Sequence, residues 1–129
     1  MNPYGTTQAK ALPGPEIEME VMSPCNGNLM TRVTFLVDTA ATISVIPKRL
    51  IEKIGPLEYR ICEVTWGNGL TQELRKVLVD LKIGHQVFRE KWVVVCEKPY
   101  GLIGRDLLNS YVLTCDGPGA YWKVEPNWL

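Results

Sequence analysis

Asp38 stands at the end of an apolar run, in Phe35-Leu36-Val37-Asp38-Thr39-Ala40-Ala41-Thr42-Ile43-Ser44-Val45-Ile46-Pro47, and more apolar residues follow it. A carboxylate aimed at a core needs a reason. Even milder polar groups cost roughly 2–7 kcal/mol to bury unbonded, and an ionised one must be paired, hydrogen-bonded or protonated. As structure alone, an Asp-Thr pair at a strand end is an ordinary turn former, its side chains bonding nearby backbone. What sets this pair apart is a second element, Tyr100-Gly101-Leu102-Ile103-Gly104-Arg105-Asp106-Leu107-Leu108, about 65 residues further on, with a glycine-tipped hairpin pattern between the two. Other chemistries are poorly served. His85 is the only histidine and falls in a turn pattern, which disfavours a serine or cysteine triad. Cys25, Cys62, Cys96 and Cys115 lie far apart with no Cys-x-x-Cys pair, so they read as reduced structural thiols and no metal site is expected.

The elements that must position Asp38 are mostly strands. Residues 1–15 hold Pro3, Gly5, Pro13, Gly14 and Pro15 with few apolar residues, which reads as a flexible lead-in, with folded structure beginning near Glu16. Ile17, Met19 and Val21 then alternate with Glu16, Glu18 and Glu20, and Pro-Cys-Asn-Gly-Asn turns the chain into a second strand, Thr31 to Val37, that runs into Asp38. Val45 and Ile46 make a short strand ended by Pro47, and Lys48 to Ile54 form one or two helical turns closed by Gly55 and Pro56. Arg60 to Trp66 and Leu70 to Leu81 flank Gly67-Asn68-Gly69 as a hairpin with a mobile tip. Ile83-Gly84-His85 turns into a strand from Gln86 to Val95, Leu107 and Leu108 suit a short helix, and Tyr111 to Cys115 with Tyr121 to Val124 read as a closing hairpin. The pattern is all-β, a small closed or folded-over sheet with one short helix near its end.

Composition narrows the partners. At 129 residues the chain fits a single domain, here placed at 16–126 with a tail at 127–129. Its formal net charge is zero, which argues against a nucleic-acid partner or a polybasic membrane binder. The longest apolar runs, such as Trp92 to Cys96, span five residues, far short of the roughly 20 that a membrane helix needs. The N-terminus lacks a basic-then-apolar signal pattern, so a soluble, cytoplasmic protein is expected.

Over about residues 15 to 125 the chain resembles the retroviral-type aspartic proteases, the retropepsins. The resemblance rests on three elements in order: Leu36-Val37-Asp38-Thr39-Ala40-Ala41, the hairpin around Gly67-Asn68-Gly69, and Leu102-Ile103-Gly104-Arg105-Asp106. The Gly-Arg-Asp-Leu-Leu form is closer to gammaretroviral and related endogenous proteases than to lentiviral ones. The family implies one half of a symmetric homodimer, each copy giving its Asp38 to a shared site. Like-charged carboxylates at close range share a proton, so one acts as general base on a water while the other polarises the scissile carbonyl. By the same resemblance Thr39 cross-links beneath the acids, the Ala40 backbone accepts from substrate, and Ala41, Arg105 and Asp106 support the active-site loop. Trp66, Gly67, Asn68, Gly69 and Leu70 are the lid, and Leu36, Thr42, Val45, Tyr100 and Leu102 are candidate substrate contacts. Leu36, Val45, Tyr100 and Leu102 serve equally well as plain core. Tyr121 to Val124 is the candidate for a sheet shared at the dimer interface, where a free edge needs a partner.

Ala40 departs from the family, which has glycine there. One extra methyl in a tight site costs about 1–3 kcal/mol, equivalent to roughly ten- to hundredfold in rate if it falls on the transition state. Two readings follow: an endopeptidase that cuts between apolar residues, or a weak or inactive relative kept as a dimerisation or peptide-binding module. A nucleic-acid-binding barrel, for which Trp66, Trp92, Trp122 and Trp128 supply aromatics, lacks the positive charge. No cofactor is implied. The implied substrate is a viral or retroelement polyprotein, in the cytoplasm or within a virus-like particle.

Overall fold

The computed structural model describes residues 2–5 and 14–125. Ten strands dominate the described residues: β1 (Asn2–Gly5), β2 (Gly14–Met22), β3 (Met30–Val37), β4 (Val45–Pro47), β5 (Tyr59–Thr65), β6 (Thr71–Ile83), β7 (Gln86–Cys96), β8 (Gly101–Ile103), β9 (Val112–Asp116) and β10 (Tyr121–Glu125). A 3-10 turn (Lys48–Leu50) leads into the short helix α1 (Ile51–Ile54), and α2 (Arg105–Leu108) follows β8. The class is all-β, as the alternating pattern requires. Among the described residues no helix is long and apolar enough to cross a membrane.

The strands close on themselves. β2 pairs β3, β3 pairs β8, β8 pairs β4, β4 pairs β7, β7 pairs β6, and β6 returns to β2 through Glu20↔Lys82, Val21↔Leu81 and Met22↔Asp80. Closure gives the ring strands partners that an open sheet would lack, and leaves β5 and β9 as the outer strands among the described residues. Period-2 alternation then decides what lies inside: Met19 and Val21 on β2 and Val33 and Phe35 on β3 are buried, with Val77, Val79, Leu81 and Ile83 from β6. β5 and the first half of β6 project from this ring as a long hairpin paired from Tyr59↔Val77 to Thr65↔Thr71.

Two short parallel pairings carry the site. β8 lies beside β3 with Phe35↔Gly101, Leu36↔Leu102 and Val37↔Ile103, and β4 lies beside β7 with Val45↔Val94. Gly101 is required by close approach, since a Cβ there would come within 2.5 Å of the Phe35 ring.

The N-terminal segment differs from the flexible lead-in expected over 1–15. Asn2–Gly5 is a strand, and β2 begins at Gly14. β1 pairs on one side with β10, Asn2↔Trp122 and Pro3↔Tyr121, and on the other with β2, Tyr4↔Pro15 and Gly5↔Gly14. Backbone pairing to a distant segment outweighs a composition that locally reads as coil. The rest of the lead-in, residues 6–13, and the tail at 127–129 lie outside the described residues. β10 sits between β9, which pairs it from Tyr121 to Glu125, and β1, which meets it at Tyr121 and Trp122. Among the described residues the free edge of this limb is β9, where Val112 is exposed.

An acid at β6 has a structural answer that the apolar run around it concealed. Asp80 is buried, and its carboxylate accepts the Glu90 N–H at 2.7 Å and the Arg89 guanidinium at 3.4 Å. The ladder between β6 and β7 shifts register between Val79 and Leu81, and Glu90 takes a left-handed φ of 51°. Asp80 thus satisfies the donor that the bulge frees.

Trp122 is fully buried in β10, and its indole N–H donates to the Glu16 carbonyl at 3.3 Å. Trp122→Ala is expected to cost about 3–5 kcal/mol of stability, read as a lower midpoint in chemical denaturation.

Candidate active site

Asp38 follows β3 directly and is held by backbone on every side. Its N–H donates to the Ile103 carbonyl at 2.9 Å, its carbonyl accepts from Ala41 N–H at 3.2 Å, and its Oδ1 accepts from Ala40 N–H at 3.0 Å. Arg105 N–H closes the loop onto the Ala41 carbonyl at 2.8 Å. An aspartate whose carboxylate bonds the amide two residues on is a local turn, and here that turn is fastened at both ends to the β8–α2 segment. Asp38 is partly exposed, while Thr39 and Ala40 are exposed in the protomer.

Ser44 ties the same two segments together, and sequence reasoning did not single it out. It is fully buried, and each of its polar groups is used. The hydroxyl donates to Asp106 Oδ1 at 2.8 Å and accepts from Gly104 N–H at 3.0 Å. The N–H donates to Asp106 Oδ2 at 3.0 Å, and the carbonyl accepts from Val94 N–H at 3.0 Å. Asp106 also accepts from Leu107 N–H at 3.0 Å. The available signal was a small hydroxyl enclosed by Ile43 and Val45, a position that demands partners. Gly104 lets the segments meet: a Cβ would lie 2.8 Å from Ile43 C and 3.0 Å from the Ala41 oxygen, both rigid backbone.

The hairpin of β5 and β6 arches over this loop. At its tip Trp66 N–H donates to the Leu70 carbonyl at 2.8 Å and Gly69 N–H to the Trp66 carbonyl at 2.9 Å. Gly69 has φ of 84°, a conformation that favours glycine, and Asn68 Oδ1 accepts Leu70 N–H at 3.0 Å. Between loop and hairpin lies a cleft of about 1190 Å³.

Ten of the residues expected at the site line this cleft together: Asp38, Ala40, Ala41, Thr42, Val45 and Leu102 from the ring, and Trp66, Gly67, Asn68 and Leu70 from the hairpin. Others sit near it in different ways. Leu36 and Tyr100 pack, partly buried, against a second apolar cluster of Val45, Val94, Cys96 and Leu102, which also takes in Val64, Trp66 and Leu74 of the hairpin. Gly69 shapes the tip, and Thr39 lies beside Asp38 on the exposed side. Arg105 contributes its backbone N–H; its side chain is exposed and, among the described residues, makes no ion pair. Cys96 also lines the cleft, and burial pushes its thiol up from the ordinary range, with the Lys98 backbone N–H and charge acting in the opposite direction. Among the described residues no group of three or more His, Cys, Asp or Glu could hold a metal.

A closed all-β ring, an Asp-Thr loop bound to a glycine-rich β8–α2 segment, and an overarching hairpin define a retropepsin-like aspartic protease domain. The chain superposes on the EIAV protease complexed with the inhibitor HBY-793 with a TM-score of 0.59 and 18% identity, over 82% of this chain and 93% of that one, a likeness of fold. Residues 25–110 match the family described as "gag-polyprotein putative aspartyl protease", and the chain belongs to that family. Similar sequences include the Gag-Pol polyprotein of woolly monkey sarcoma virus, 29% identical over 130 residues and 98% of this chain, and that of gibbon ape leukemia virus, 30% identical over 126 residues and 95% of this chain. The chain spans about 7% of the length of each polyprotein. By fold and family it is a retropepsin-like protease domain, and the polyproteins it is similar to are of gammaretroviral type.

Ser44→Ala removes one donor from Asp106 and strands the buried Gly104 N–H. A loss of about 1–3 kcal/mol is expected, measured by denaturant unfolding monitored at the tryptophans.

Proposed function

We propose that the chain is an aspartic endopeptidase that works as a symmetric homodimer, each copy placing one Asp38 at a shared centre. The observation that carries this reading is the placement of Asp38: a carboxylate fixed by backbone bonds on the floor of a cleft, beneath a hairpin lid. Each chain has one such loop, so a pair of acids requires a second chain.

The chemistry follows from bringing two carboxyls together. They share one proton, the behaviour for which aspartic proteases are the standing example. The ionised partner takes a proton from a water, which attacks the peptide carbonyl while the protonated partner donates to the carbonyl oxygen. The lid closes over an extended peptide and excludes bulk water. Val45, Leu102, Trp66 and Leu70 give the cleft apolar walls, which favours apolar residues beside the cut. The Gag-Pol relatives support a polyprotein as natural substrate and a virus-like particle as its setting.

Ala40 decides how strong the enzyme is. It has no left-handed φ, so its backbone carries no strain of the kind that demands glycine. Its N–H still serves the Asp38 carboxylate. What remains is one methyl in the lining of the cleft, and that methyl favours the second reading, a peptide-binding relative without activity.

A mixed peptide library at mildly acid pH tests the proposal, with sedimentation to establish the dimer. Cuts between apolar residues are expected, absent in Asp38→Asn, and Ala40→Gly should raise kcat/KM about ten- to hundredfold. A folded dimer that cuts nothing, with or without Ala40→Gly, would overturn the peptidase reading.

A further inference from the structure

The loop between β7 and β8 reaches the lid through one side chain. Lys98 Nζ lies 5.6 Å from the centre of the Trp66 ring and 5.8 Å from that of Tyr100, so one cation meets an aromatic of the lid and an aromatic packed on the apolar cluster beside the cleft. Both rings pack against the apolar cluster that holds Val45 and Leu102. Each side of the contact is anchored. The Trp66 indole N–H donates to Gln72 Oε1, and its backbone is bonded to Leu70 and Gly69. On the other side Glu97, next to Lys98 in the loop, pairs with Lys48 at 3.7 Å. The other cations lining the cleft are engaged elsewhere: Lys48 in that pair, and Arg75 over the Tyr59 ring at 5.8 Å. Lys98 makes no ion pair among the described residues, so the negative ring faces are the partners its charge has there.

We propose that Lys98 is a positioning residue for the lid: its ammonium, shared by Trp66 and Tyr100, latches the hairpin to the body of its own protomer and sets how readily the cleft admits a peptide. Its kinetic consequence rests on the peptidase reading; the latch itself does not. Cation–π attraction strengthens as water leaves. A peptide filling the cleft therefore tightens the latch, and the latch in turn favours the bound state, which places its effect on substrate affinity.

Lys98→Met keeps the apolar stem and removes the charge, while Lys98→Arg keeps the charge. Hydrogen exchange at the Trp66 and Gly69 amides, measured on the full chain without substrate, is expected to quicken about three- to tenfold in Lys98→Met and to stay near the original rate in Lys98→Arg. With a cleavable peptide, KM should rise by a similar factor in Lys98→Met while kcat changes less than about twofold. Unchanged exchange in Lys98→Met, or equal quickening in both variants, overturns the latch. If none of the proteins cuts peptide but exchange separates them as expected, the latch stands and the peptidase reading falls.

Discussion

The fold depends on how a carboxylate at an apolar strand end is kept bonded. Asp38 is tolerable because its N–H, its carbonyl and one carboxylate oxygen all meet backbone partners, two of them within its own turn and one on Ile103. That last bond requires β8 to run beside β3, which requires Gly101 beneath Phe35 and Gly104 beneath Ile43. The bonds from buried Ser44 to Asp106 then fix the spacing of the two segments from the far side. Remove the constraint on Asp38 and the glycines, the short parallel pairing and the buried serine lose their common purpose.

This arrangement separates stiffness from motion. The loop is built on ring strands whose pairings close on themselves, while the lid is a two-stranded projection whose tip rests on few hydrogen bonds. A reacting group needs the first, and a gate needs the second. The apolar cluster of Val45, Val94, Cys96 and Leu102 lies where they meet, so the ring supplies a dry surface against which hairpin residues settle.

Local chemistry was legible in the sequence and long-range pairing was not. The Asp38 turn, the glycine tip of the hairpin and the Gly104-Arg105-Asp106 bend declare themselves because their residue types act over a few positions. Ser44 escaped notice because its partners lie about 60 positions away, at Gly104 and Asp106. β1 was read as coil because Pro3 and Gly5 argue locally against a strand, while its partner β10 lies at the other end of the described chain. Asp38 and Asp80 show the limit most clearly. Both are acids within apolar runs, yet one lines a cleft and the other fills a bulge, and the three apolar residues before each do not separate them.

The pairing of β1 with β10 bears on timing. Asn2 and Pro3 find their partners in Tyr121 and Trp122, so a contact of near-maximal sequence separation completes the sheet. During synthesis from the N-terminus, β1 remains without that neighbour until the last strand has emerged, and the core lacks the Trp122 ring until then. A nascent chain of this design withholds its finished core until Tyr121 and Trp122 have been translated, so closure of the core waits on a segment far in sequence from the Asp38 loop.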